Sequence, residues 1–96
     1  MRHYYVYMLA SKKHWVIYTW VTNNLVRRIW EHQDGTNKWF TKKYHVKKLV
    51  YYEARSDIRE AIVREKQLKK WNRQRKIELI EKENLNRDDL SAAFMS

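Results

Sequence analysis

The sequence predicts an α+β fold, sandwich-like, with helices flanking a small three-stranded, largely antiparallel sheet in the order β-β-α-β-α-α. Three observations carry this. Two aromatic and β-branched runs, His3 to Ala10 and Trp15 to Val21, stand so close that only a hairpin joins them. A third run of that kind, Val46 to Ala54, lies between two stretches with helical apolar spacing. The longest helical pattern, Asp57 to about Trp71, leads directly into another. Ninety-six residues make one domain with one core, residues 81–96 forming a C-terminal helical extension.

In the first strand, Tyr5, Tyr7 and Leu9 share one face, and Tyr4, Val6 and Met8 the other. Ser11 to His14 is a polar connection, and Trp15 opens the second strand. Thr22 or Asn23 caps a helix over about 23–33, with Leu25 and Ile29 one turn apart. Asp34-Gly35-Thr36-Asn37 ends it in turn chemistry. A basic, aromatic loop, Trp39 to His45, precedes the third strand. Ser56 caps the long helix, whose apolar stripe is Ile58, Ala61, Ile62 and Leu68. Asn72 caps the next helix, with Ile77 and Ile80 facing inward, and Asn86, followed by Asp88 and Asp89, opens a short last one.

Lys and Arg number 21 against 11 Asp and Glu, a net charge of +10. A field of that sign favours polyanions, with nucleic acid ahead of an acidic membrane surface. The absence of cysteine excludes disulfides and thiolate metal sites. No apolar run approaches the roughly 20 residues of a membrane span, and the N-terminus has no signal-peptide apolar region, so the cytoplasm is the expected compartment.

Glu65 is the sharpest chemical signal. The stripe of Ile58, Ala61, Ile62 and Leu68 centres close to it, so the carboxylate needs a cation, a metal or strong hydrogen bonds. The competing reading places it at the stripe's edge, paired with Lys69 one turn on. Arg28 and His32 share a helix face, where arginine's planar fork suits phosphate; the plain alternative is a solvated basic surface. Tyr5, Tyr7 and Tyr18 fall on neighbouring strands and serve either as core aromatics or as groups that orient or deprotonate water. Lys42, Lys43, Lys47, Lys48, Lys69, Lys70 and Arg73 suit phosphate contacts without sequence readout. There is no Gly-rich phosphate loop, no HExxH and no metal-ligand spacing among the histidines at 3, 14, 32 and 45.

In order, these elements resemble the GIY-YIG nuclease family, in its small stand-alone bacterial branch. Tyr5-Val6-Tyr7 stands at the first tripeptide and Tyr18-Thr19-Trp20 at the second. Asn23 to His32 matches the following helix, Phe40 to Tyr44 the loop, Val46 to Glu53 the third strand and Ala61 to Trp71 the long helix. The resemblance covers about residues 3–80. It implies that Tyr7 and Tyr18 are active-site tyrosines, that Arg28 is the catalytic arginine, that His32 fills a His-or-Tyr position and that Glu65 binds a single divalent metal, usually Mg2+. It further implies hydrolysis of DNA phosphodiesters, with branched or nicked DNA among the candidates, a protein partner as a source of specificity, and an association with DNA repair. The alternative is a catalytically inactive nucleic-acid-binding module, or a nuclease subunit that needs a partner.

Three positions depart from that pattern in the same way. Trp15, Trp20 and Trp39 stand where this branch tends to have glycine. Trp20 brings an indole to a place where glycine allows close approach of backbone and substrate. Trp15, at the tight turn where the second strand opens, gives up glycine's access to positive φ, a loss of about 1 kcal/mol or more where the turn requires it. Two causes produce such a pattern: a gene whose UGA codons mean glycine, translated with UGA as tryptophan, or deliberate substitution. UGG codons at the three positions rule out the first.

Overall fold

The computed structural model describes residues 3–11, 16–34 and 46–91, without the side chains of 32–34, 46 and 47. Trp15, Trp39 and the Phe40–Tyr44 loop with Lys42 and Lys43 lie outside the described residues.

The chain runs β1 (Tyr4–Ser11), β2 (Ile17–Thr22), α1 (Leu25–Asp34), β3 (Val46–Arg55), α2 (Ile58–Lys70) and α3 (Arg73–Glu83). The three strands form one sheet in the order β2-β1-β3, and both pairings are antiparallel. The architecture is the α+β one expected from the sequence.

β1 is central, and its run YYVYMLAS is buried on both faces beyond Tyr5. Val6, Met8 and Ala10 pack with Val50, Tyr51, Ala61, Leu68 and Ile80 under α2 and α3. Tyr7 and Leu9 face the other way, onto Leu25, Ile29 and Leu49 beneath α1. Each large apolar side chain removed from water in this way contributes about 1.5–3 kcal/mol. A register shift pairs Met8 with Tyr51 but Leu9 with Leu49, so Val50 is the extra residue of a bulge. Val50 and Tyr51, adjacent in sequence, both join the α2–α3 side.

Helix starts differ by one residue from expectation where several capping types stand together. Asn24, not Thr22 or Asn23, caps α1: its Oδ1 accepts from the Arg27 N–H at 3.1 Å. Thr22 is occupied in accepting the Asn24 N–H at 3.1 Å. Asp57 rather than Ser56 caps α2, accepting from Arg59 N–H at 2.9 Å. Asn72 caps α3 as expected.

The α2 stripe is narrower than its apolar residues suggested. Ala61 and Leu68 are fully buried, whereas Ile58 and Ile62 remain 39% and 38% exposed. At 100° per residue the buried direction falls between Arg64 and Glu65, each about 50° away. Both are half-buried flanks of that face. The helix opened by Asn86 is absent through Ser91; the chain turns instead. Its polar residues serve the sheet edge. Asn84 donates its amide to Val50 O at 3.1 Å and to Asp88 O at 2.9 Å. Asp89 accepts the Leu49 N–H at 3.1 Å, and Leu90 N–H donates to Leu49 O at 2.8 Å. Among the described residues, no helix is long and apolar enough to cross a membrane.

Candidate active site

Tyr7 is the buried centre of the α1 side of the sheet. Its partner in register on β2 is Trp20, with ring centroids 6.1 Å apart at 43°. Two residues back on the same strand face, Tyr18 stacks on Trp20 at 5.4 Å and 7°. The two tyrosines therefore meet through the indole.

The hairpin delivers the chain from β2 straight into α1, which places Arg27 and Arg28 in its first turn. One carboxylate serves both. Glu31 Oε1 accepts from Arg27 Nε at 3.0 Å, and Oε2 accepts from Arg28 Nη1 at 3.3 Å. These groups line an open cleft of about 500 Å³ with Thr22, Asn23 and Asn24. On α2, Glu65 is only 15% exposed and accepts from Lys69 Nζ at 3.2 Å.

Electrostatics ties the elements together. Burial pushes the Tyr7 phenol up to about 12; the Arg28 charge pulls it down, while Glu31 and Glu65 push it further up. Charges from two helices thus converge on one phenol. At neutral pH Tyr7 carries its proton.

Tyr7 and Tyr18 thus meet at the Trp20 indole, and the Arg28 and Glu65 charges both act on the Tyr7 phenol. His32 follows Arg28 by one helical turn, but its side chain lies outside the described residues, as do Lys42, Lys43 and the side chain of Lys47. Lys48 is half-buried on β3 opposite Ala10. Lys69 is held by Glu65, and exposed Lys70 and Arg73 flank the junction of α2 and α3.

Among the described residues, no group of three or more His, Cys, Asp or Glu is placed to hold a metal ion. A single carboxylate is nonetheless a fitting donor for a hard cation. Magnesium keeps most of its water and commonly takes one or two carboxylates plus substrate phosphate oxygens. Glu65, held by one lysine at the rim of a buried face, has that chemistry.

Two carboxylates escaped the sequence reading. Glu31 was not singled out from the sequence; the signal was its spacing of three and four residues from two arginines. Glu53 holds β3 to α2. It accepts from Arg64 Nε at 2.8 Å, Arg55 Nη2 at 3.0 Å and the Tyr51 hydroxyl at 2.5 Å. Burial and then that carboxylate push the Tyr51 phenol up to about 12. Arg64 also lies 5.3 Å from the centre of the Trp71 ring, which Arg75 covers at 3.8 Å. This bracing fixes the residue next to Glu65.

Comparison with known proteins gives this geometry a context. A UPF0213 protein of Clostridium perfringens is 38% identical over 85 residues, covering 88% of this chain and 90% of the relative. A UPF0213 protein of Staphylococcus haemolyticus is 37% identical over 81 residues, covering 84% and 98%. One from Staphylococcus saprophyticus is 32% identical over 80 residues, covering 83% and 96%. No solved structure matches the chain. The family model described as the GIY-YIG catalytic domain matches residues 3–78, which takes in both tyrosine strands, both helix-borne charges and the bracing around Glu53. On that match, and with relatives alike over most of their length, the chain belongs to the GIY-YIG family.

Proposed function

We propose that this protein is an endonuclease that hydrolyses DNA phosphodiester bonds with one divalent metal ion, Mg2+ being the first candidate. What supports the proposal is the match of residues 3–78 to the GIY-YIG catalytic domain, a stretch that holds Tyr7, Tyr18, Arg28, His32 and Glu65 together. In this reading Arg28 lays its fork on the non-bridging oxygens of the scissile phosphate and stabilises the charge that grows there. Tyr7 and Tyr18 line up the attacking water, with His32 one turn beyond Arg28 to take up its proton. Water adds to phosphorus, the bond to the leaving oxygen breaks, and that oxygen takes a proton from solvent while His32 later returns its own to solvent. Glu65 would hold the metal, which supplies Lewis-acid charge beside the leaving oxygen. Lys42, Lys43, Lys47, Lys48, Lys70 and Arg73 grip the backbone without reading bases, and Lys69 tethers Glu65 until a cation replaces it.

A second reading has its own observation. Trp20 stacks on one tyrosine and packs against the other, which suits a binding module that has lost its chemistry. One experiment separates the two. Linear, nicked and branched DNA are incubated with the protein and magnesium beside a Glu65→Ala control. Cleavage that falls at least about 100-fold in the control supports the endonuclease. Equal cleavage by both proteins removes Glu65 from the mechanism. Salt-sensitive binding with no cleavage favours the binding module.

A further inference from the structure

We infer that Glu31 is a positioning residue that yokes Arg27 to Arg28, so that the cleft above the start of α1 grips two neighbouring phosphates of one nucleic-acid strand. The inference rests on the proposed phosphate role of Arg28.

Adjacent helix residues point about 100° apart, so Arg27 and Arg28 would ordinarily fan out. Glu31 lies four residues from one and three from the other, and each of its oxygens takes one guanidinium. The two arginine heads are thereby gathered on one carboxylate. Arg28 uses only Nη1 there, which leaves its other N–H groups for a ligand. Arg27 uses only Nε, so both its terminal nitrogens remain as well.

Stability does not account for the arrangement. Exposed pairs of this kind contribute little to stability. Two cations in a helix's first turn, with no acid there, oppose the helix dipole. Glu31 itself is only 19% exposed, while Arg27 and Arg28 are 75% and 54% exposed. A shielded carboxylate holding two outward arginines resembles an anion cradle on a fixed base. The rest of the cleft is polar: Thr22, Asn23 and Asn24. That chemistry takes phosphate and sugar oxygens, not an apolar ligand. The yoke gives Arg27 the flanking phosphate and leaves Arg28 the one beside Tyr7.

The test uses the whole chain carrying Glu31→Gln, which keeps the shape and removes the charge. Loss of a negative charge tightens metal-free binding to a labelled DNA strand by about threefold. The same change lowers kcat about tenfold, because Arg28 loses its orientation. The melting temperature stays within about 2 °C, as expected for an exposed pair. Glu31→Asp, which keeps the charge, recovers part of kcat. Tighter binding with unchanged kcat would make Glu31 a charge screen and overturn the inference. Loss of kcat in proportion to a falling melting temperature would overturn it too.

Should neither the unsubstituted chain nor its Trp20→Gly form cleave DNA, the nuclease reading fails by itself and nitrogen-15 spectra of the arginine Nε–H groups decide. In the unsubstituted chain, titration with inorganic phosphate moves the Arg27 and Arg28 signals together with one Kd. In Glu31→Gln the two curves separate. Independent responses in the unsubstituted chain, or joint responses in Glu31→Gln, overturn the yoke.

Discussion

The Trp20 indole lies parallel to the Tyr18 ring, 5.4 Å between centroids and 7° between planes. The same indole packs across the strands against Tyr7. Its difficulty is one of space rather than backbone. Among the described residues, only Arg87 combines a side chain other than glycine's with positive φ, so position 20 does not require glycine's conformational freedom.

Trp20→Gly should therefore trade stability for access. Losing the stacked pair, the packing on Tyr7 and the β-propensity of the side chain lowers stability by about 2–3 kcal/mol. Cleavage of DNA by the proposed site should rise, measured as single-turnover rate with magnesium at a temperature where both proteins are folded. A rate equal to or below that of the Trp20 chain would clear Trp20 of obstructing the tyrosines.

Thr19, between the two stacked rings in sequence, points to the opposite face and is 4% exposed. Its hydroxyl has no hydrogen-bond partner among the described residues. Thr19→Val keeps the β-branched shape and removes the stranded oxygen, so it should gain about 1 kcal/mol. For a domain of this size that is a rise of about 4–8 °C in melting temperature. A flat or lower value would mean that the hydroxyl has a partner.

Alkali should unfold the protein through two phenols. Tyr7 and Tyr51 are both pushed up from 10.0 to about 12, chiefly by burial. Above pH 10 the unfolded chain releases these protons while the folded one retains them, so the unfolded state gains. Stability is fully present below pH 10 and declines as pH rises through 12, on the order of 2–3 kcal/mol per phenol. Urea midpoints between pH 8.5 and 12 measure it. Tyr51→Phe should flatten the decline, and an unchanged slope in that variant would place the titration elsewhere.

The order of elements was legible because period-two and four-residue apolar spacings survive in β1, β3 and α1. The errors share a cause. Thr22, Asn23 and Asn24 all suit a helix cap, and the choice was settled when Thr22 accepted the Asn24 N–H. Asn86, Asp88 and Asp89 carry helix-start chemistry, yet Asp89 is used on the β3 edge instead. Ile58 and Ile62 lie outside the buried face because the sheet beneath α2, not the helix's own composition, decides which side is covered. Glu65 was found because a carboxylate interrupts an apolar stripe. Glu31 interrupts nothing; its spacing of four and three residues from Arg27 and Arg28 is the one trace it leaves in the sequence.

The turn from Asn84 to Leu90 gives the domain a different boundary from the one its motif suggests. The family match ends at residue 78, yet α3 continues to Glu83 and the bonds from Asn84, Asp89 and Leu90 secure the outer edge of β3 beyond it. A chain trimmed to the match would keep every proposed site residue and bare the Leu49 and Val50 backbone groups. Such an edge is a template for strand pairing between molecules, so the trimmed chain should gather into aggregates. The last turn is in effect the selvedge that keeps this small sheet from being woven into its neighbours.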